Sequence, residues 1–405
     1  MRNLAGASFA LLAAAVVLLA SCGSSPPAKS HSFATTTTVP SKTTTTPPSV
    51  PSDSIESVAF FNAADGFGLF ALSNGSSCSL AVAPTDDGGS TFATAHTVMD
   101  YSCVNGSSAG RVAFDNVGDG FVYGPRIFIS HDNGSTWNAA KGISDVLDLV
   151  PLGRSVWALD QSCSSGNCEV GVEQSGDGGR TWSTVTLPSS EMTSGAPAML
   201  RLSVTSTLIV IPPALVVGGS PPTTSLLLRT TDDGRTWQQS SVPCVGLSTF
   251  LSQAPDGSIW LGCASEPGAG NQAKQLVRSF DGGVTWRAVH CSAATNMGSL
   301  PGCYFSNAMD SGYLGDLVAA SSTTAFADGG RNDVLVTRDG GTTWSETNPV
   351  IGDMDSGTGG LFFANADDGW VISGATGTGN EGLWKTTDGG NTWTPAWTAG
   401  AGSQF

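Results

Sequence analysis

Between residues 55 and 399 the apolar positions come in short runs separated by turns rich in Gly, Asp and Asn. Runs of about five residues with no apolar recurrence at helical spacing predict β-strands. One stretch shows the order clearly: "GRVAF" (110–114), "GFVYG" (120–124), "RIFIS" (126–130) and "TWNAA" (136–140). The same four-run order returns near the C-terminus as "GLFFA", "GWVIS", "LWKTT" and "TWTPA". We label the runs of one unit A to D. The strand pattern is thus organised in units of four.

The turn between runs C and D carries a repeated peptide. Full copies are "SHDNGSTW" (130–137), "SGDGGRTW" (175–182), "TTDDGRTW" (230–237), "SFDGGVTW" (279–286), "TRDGGTTW" (337–344) and "TTDGGNTW" (386–393). A first copy, "TDDGGSTF" (85–92), has Phe92 in place of Trp. The pattern is [Ser/Thr]-x-Asp-x-Gly-x-Thr-[Trp/Phe], with Asp87, Asp132, Asp177, Asp232, Asp281, Asp339 and Asp388 at 45, 45, 55, 49, 58 and 49 residue intervals. Such a period overrides any estimate of domain number from length and signals a repeat architecture. Seven four-stranded units of about 49 residues predict an all-β, seven-bladed β-propeller with one such turn per blade. Within each turn the Asp is expected to accept backbone N–H bonds, and the fifth-position Gly to supply a conformation other residues resist. The Thr is expected to begin strand D, and the Trp to bury its ring between sheets. Full burial would give roughly 4–6 kcal/mol per copy as an upper estimate.

This motif resembles the Asp box, or bacterial-neuraminidase repeat, of sialidases, two-propeller xyloglucanases, the sortilin luminal domain and photosystem II assembly-factor propellers. The stretches "VAFFNAADGFGLF" (58–70), "VAFDNVGDGFVYG" (112–124) and "LFFANADDGWVIS" (361–373) are most similar to the assembly-factor group. The resemblance implies a propeller in which each box joins strands C and D. From the assembly-factor group it implies a binding scaffold for another protein. The basic client-binding patch of that group has no counterpart here.

Composition narrows the partners. The 405 residues carry 52 Gly, only 12% charged residues and a net charge of −16. Phosphate backbones need clustered Lys and Arg, so nucleic acid is not an expected partner. Arg2, the apolar run 4–20 and Ser21-Cys22 have the order of an export signal. "LASC" (19–22) resembles the bacterial lipobox, which implies cleavage before Cys22 and lipidation of its thiol. Residues 23–54 hold 8 Thr, 8 Ser and 6 Pro, too little apolar surface to order, and read as a disordered tether. The expected domains are a signal peptide (1–21), a lipidated Cys and tether (22–54), the propeller (55–399) and a tail (400–405). The expected location is the cell envelope, on the outer face of the cytoplasmic membrane through the N-terminal lipid.

Eight further cysteines in an exported chain suggest disulfides. Local pairing predicts Cys78–Cys103, Cys163–Cys168, Cys244–Cys263 and Cys291–Cys303, with Cys263–Cys291 as an alternative. No Cys-x-x-Cys occurs and the four His are scattered, so zinc is not expected. Most Asp motifs offer one carboxylate, too few for a calcium loop. No cofactor motif is present.

Catalytic signatures are equally sparse: no G-x-S-x-G, no H-E-x-x-H and no phosphate-binding loop. The sialidase resemblance implies an arginine triad, a Tyr–Glu nucleophile pair and an Arg-Ile-Pro signature. Here "PRIFI" (125–129) has Phe128 for the Pro, and Arg180 and Arg235 fall inside the turns. No glycosidase acid pair is marked by motif. The sequence therefore reads as a non-catalytic binding scaffold for a protein or cell-envelope glycan. The alternative is an exo-sialidase-like glycoside hydrolase, which an acid pair beside arginines at the ring centre would favour. Alternating strand direction puts A–B and C–D turns on one face, and B–C and D–A loops on the other. Loop length varies on the second face, at 212–224, 264–273 and 291–314, so the working face is expected there, over units four to six. Tyr304, Phe305 and Tyr313 are its candidate ligand-binding residues.

Overall fold

A computed structural model describes residues 53–74, 77–102, 110–115, 117–164, 167–188, 192–193, 195–213, 224–244, 246–266, 271–291, 309, 312–329, 334–347, 360–373 and 382–398. Seven antiparallel sheets follow one another along this chain, each with strands in the order A-B-C-D. Their limits are Ser54–Ser102, Arg111–Ser144, Val146–Thr184, Ala198–Val242, Ser248–Cys291, Leu317–Glu346 and Leu361–Thr398. The third blade has an added two-residue strand, Met192–Thr193, beside its strand C. The protein is a seven-bladed β-propeller.

Strands B and C read as near-continuous apolar runs, such as "TLIVI" (207–211) and "IWLGCA" (259–264), both buried throughout. Each lies in the middle of a sheet covered on both faces, where alternation gives way to continuous hydrophobicity. Seven apolar clusters result, one for each pair of adjacent blades. The last joins blade seven to blade one, so among the described residues the ring closes by side-chain packing, with no strand exchanged. At that seam Phe60 stacks on Trp370 at 3.8 Å, and the Trp370 indole donates to Gly88 O at 2.8 Å. The same stack, from the end of strand A onto strand B of the preceding blade, recurs as Phe114 on Phe67 (3.8 Å) and Phe363 on Phe326 (3.6 Å). In blade four Arg201 takes the aromatic's place, 5.3 Å over Trp157. The assembly-factor-like stretches of the sequence are these stacking positions.

All seven Asp turns lie between strands C and D and share one hydrogen-bond pattern. The opening Ser or Thr hydroxyl donates to Asp Oδ1 at 2.7–3.0 Å. That hydroxyl also accepts the N–H of the fifth-position Gly at 2.8–3.0 Å. The Thr N–H donates to Oδ1 at 2.8–2.9 Å. The Thr hydroxyl donates to Oδ2 at 2.6–2.7 Å. The fifth-position Gly has φ between +77° and +91° in every copy, which explains its invariance across the repeats. These bonds favour the ionised carboxylate. The Thr136, Thr181 and Thr285 hydroxyls, followed by the N–H groups of the same residues, hold Asp132, Asp177 and Asp281 down to about 2.

Two expectations need correction. The Thr does not begin strand D; in copies two to seven that strand starts after the Trp, at Asn138, Ser183, Gln238, Arg287, Ser345 and Thr394. The reason is that the Asp already takes the Thr N–H that a strand ladder would use. Burial of the closing ring is also uneven: Phe92, Trp344 and Trp393 are buried, while Trp137, Trp182, Trp237 and Trp286 are half-buried. The full-burial energy therefore applies to three copies only.

Candidate functional site

The six described cysteines all sit at B–C or D–A positions, opposite the Asp turns. Cys163 bonds Cys168, and Cys244 bonds Cys263, which excludes the Cys263–Cys291 alternative. Cys78 and Cys291 are also disulfide-bonded. Cys22, Cys103, Cys303, Tyr304 and Phe305 lie outside the described residues.

The long loops over blades five and six, where they are described, pack against each other. Asn271 forms a parallel bridge with Gly312. The buried Lys274 donates to Gly312 O at 2.8 Å and to Gln272 O at 3.2 Å. Gln272 Oε1 accepts the Leu314 N–H at 2.9 Å, and Leu314 and Met309 sit in the cluster between those blades. Tyr313 is half-buried among these contacts. These described segments form a joint between blades five and six.

A cavity of about 610 Å³ opens on the same face, lined from blades one, two, three, six and seven. Its walls come from the starts of strands A (Glu56, Arg111, Val146) and the ends of strands B (Tyr123, Gln161), with Asp145 and Asp316 just before strands A. These positions converge because the innermost strands surround the axis. Arg111 and Tyr123 are direct cross-strand partners and share a side-chain hydrogen bond. Burial works against the Arg111 charge, but Tyr123, Asp316 and Asp148 outweigh it and raise its pKa. Burial, then the Asp148 charge, raises the Tyr123 phenol above its ordinary range. Burial likewise raises the Asp148 carboxyl, against the opposing pull of Arg111 and of the Leu149 and Met199 N–H groups.

Both acids near Arg111 also have structural duties. Asp148 accepts the Met199 N–H, and Asp316 Oδ2 accepts the Leu361 N–H at 3.0 Å. In each case an inner strand of one blade covers the open edge of the next. Ser57 does the same for Val112 at 3.3 Å, and Ser252 for Ala319 at 2.9 Å. Unpaired edges are thereby satisfied around the axis.

Arg111, Tyr123, Asp148 and Asp316 were not marked by any motif in the sequence. Their only signal is position, at the inner ends of strands A and B, which requires the closed ring to interpret. The sialidase-like arginines are elsewhere. Arg126 lies over the Phe128 ring at 5.1 Å, outside the cavity, and Arg180 donates to Asp177 O within its own turn. Arg111 is the one basic residue among the described lining, facing three carboxylates. His131 has a partner the sequence did not reveal: its Nδ1 lies 2.8 Å from Asp119 Oδ1, on the Asp-turn face. Among the described residues no His, Cys, Asp and Glu group could hold a metal ion.

No protein-family model matches the chain, and no curated protein matches it in sequence. Solved structures do match its fold. YCF48 bound to D1 peptide is 16% identical with a TM-score of 0.51, over 83% of this chain and 93% of that one. An ulvan lyase of polysaccharide lyase family 25, bound to a glucuronate–sulfated rhamnose unit, is 11% identical with a TM-score of 0.51. It covers 85% of this chain and 96% of that one. YCF48 from Cyanidioschyzon merolae is 15% identical with a TM-score of 0.48, over 84% and 95%. At these identities the likeness is one of fold.

Proposed function

We propose that the protein is a lipid-anchored extracytoplasmic propeller that binds a protein or cell-envelope glycan at the mouth of its axial cavity. The observation that carries this reading is the cavity itself, on the face opposite the Asp turns and ringed by rigid inner strands. Ligand sites favour such concave mouths with a few convergent polar groups. Similar propellers hold a peptide in one case and a polysaccharide in another, which is consistent with either class of partner. This reading puts the site at the axis, on the face expected from loop lengths but away from blades four and five. Cys22 carries the anchor in this proposal, residues 1–21 are removed, residues 22–54 form the tether, and 55–399 bind.

The test is capture from cell-envelope extract by residues 55–405. Leu147→Trp, at an exposed lining position, should abolish capture without lowering the melting temperature. Unchanged capture would remove the cavity from the reading.

A glycoside hydrolase is the second reading, favoured by one observation: a carboxyl raised by burial, Asp148, beside Arg111 and Tyr123 at the axis. Raised carboxyls at clefts are candidates for general acids. Turnover of envelope glycans by the wild type, lost in Asp148→Asn with capture intact, would favour the enzyme.

A further inference from the structure

The disulfides of the described residues are not equivalent. Cys244 and Cys263 are fully buried, and Cys78 and Cys291 nearly so. Cys163 is exposed and Cys168 half-buried. Cys163 also lines the axial cavity beside Gln161. Its bond joins directly paired residues near the tip of the hairpin Ser155–Ser164 and Asn167–Ser175. These are long strands for this ring; strand B of blade two spans only Gly120–Tyr123. Beyond its pairing with strand A the hairpin continues to Ser164, and Cys163 in this extension lines the cavity mouth.

The Cys163–Cys168 bond adds less to the folding of the ring than Cys244–Cys263 does. It spans a sequence separation of 5, against 19 for Cys244–Cys263, and the chain-entropy gain grows with the loop closed. The hairpin is also anchored beneath its tip without it. Gln161 Nε2 donates to Gly195 O at 3.0 Å, and Met192–Thr193 pairs with Cys168 and Glu169. What the bond restrains is the rim. An exposed disulfide with this local reach belongs to the labile, exchangeable kind.

We propose that Cys163–Cys168 is a thiol–disulfide exchange site that sets the width of the cavity mouth, with a dithiol as its reductant. A thiolate of the dithiol attacks the more exposed Cys163 Sγ, forming a mixed disulfide. The Sγ–Sγ bond breaks with its electron pair going to Cys168 Sγ, which takes up a proton. The second thiol of the reductant then loses its proton and attacks its own sulfur in the mixed disulfide. Cys163 leaves as a thiolate, takes up a proton, and the dithiol ends as a cyclic or intrachain disulfide. Two electrons have passed to the protein. Residues 162–164, with Cys163 at the cavity wall, then lose their covalent tie to strand C while Gln161 and Cys168 stay anchored. The consequence for ligand capture rests on the cavity reading above; the exchange itself does not.

The whole protein is exposed to dithiothreitol for increasing times, trapped with iodoacetamide and mapped by mass spectrometry. Cys163 and Cys168 should be alkylated at least about tenfold faster than Cys244 and Cys263. Equal or slower alkylation overturns the proposal. In the selectively reduced protein, backbone hydrogen exchange should rise at 162–164 and not in the Asp turns. No rise there overturns the claim about the mouth. Capture is then compared between oxidised and selectively reduced protein. If Leu147→Trp abolishes capture but reduction leaves it unchanged, the switch fails and the cavity reading stands. If neither changes capture, the cavity reading itself fails, whatever the alkylation rates.

Discussion

Substitution of the closing Trp to Ala separates structural Asp turns from functional ones, because the seven copies are not equally buried. Trp344 is 5% exposed and meets Trp260 edge-on, with ring centroids 6.5 Å apart. It belongs to the cluster between blades five and six, among Val289, Leu314 and Ala319. Removing a ring so enclosed sacrifices its transfer energy and leaves a cavity, about 4 kcal/mol in typical cores. Trp237 is half-buried at the edge of the cluster between blades three and four. Only its buried half counts, so Trp237→Ala should cost about 2 kcal/mol. For a domain of this size each kcal/mol moves the midpoint by roughly 2 °C. Falls of about 8 °C and about 4 °C are therefore expected for Trp344→Ala and Trp237→Ala. Calorimetry is the suitable assay, since both variants lose a fluorophore. A larger loss for Trp237→Ala would refute the burial argument. Unchanged melting with lost partner capture, in either variant, would refute the structural role of the turn altogether.

Comparison of equivalent interblade positions gives a second prediction. The Trp393 indole donates to Thr347 Oγ1 at 3.1 Å, both residues being buried, so Thr347→Val should cost about 1–3 kcal/mol. Val185 stands in the matching place between blades three and four, and the Trp237 indole N–H has no hydrogen-bond partner among the described residues; Val185→Thr should raise the melting temperature slightly. The third concerns acid. Asp132, Asp177 and Asp281 are held down to about 2 when folded, against roughly 3.9 unfolded, so between those values the unfolded chain binds more protons. Their contribution is complete above about pH 5 and is lost as pH falls through 4 towards 2. Melting followed from pH 6 to pH 2 should therefore decline, and a rise on acidification would contradict the linkage. Fourth, Cys22→Ala should release the protein from the membrane fraction, and unchanged partition in cell fractionation would exclude the lipid anchor.

The architecture was legible because its determinants are local. Each Asp turn closes its bonds within seven residues, and the Gly at positive φ is fixed by that turn alone. The positions of Phe60, Phe114 and Phe363 were visible as a repeated pattern, although their stacking partners come from adjacent blades. Strand D was misplaced for a local reason too: propensity favours Thr in a strand, but the Thr91 and Thr136 N–H groups are claimed by Asp. The axial cluster was illegible because no segment contains it. Arg111, Asp148 and Asp316 come from blades two, three and six and meet only after the ring closes. The contact between the two loops was illegible for a related reason. Packing of 271–274 on 312–314 depends on the neighbouring blade, which the length of either loop does not reveal.

The axial cluster contains the feature that a glycosidase would need, two carboxyls near an arginine, and so its bonding decides how it is read. A catalytic acid must have its proton-bearing oxygen free for substrate, and its partner must be free to ionise opposite it. Here Asp316 accepts the Leu361 N–H and Asp148 the Met199 N–H, at the open edges of adjacent inner strands, and Asp148 also accepts the Leu149 N–H of its own strand. Ser57 and Ser252 perform the same covering in other blades. The recurrence of that role with a hydroxyl in place of a carboxyl indicates that the position serves the ring. Arg111 then has an electrostatic explanation as the countercharge to two half-buried carboxylates. It is also unsuited to a carboxylate substrate, since its charge already faces Asp148 and Asp316 and Glu56 and Asp145 line the same cavity. A sialic-acid carboxylate entering there would meet net repulsion, where sialidase chemistry calls for a cationic pocket. On the proposed binding reading, a neutral or cationic portion of a partner would suit this lining better than an anionic one.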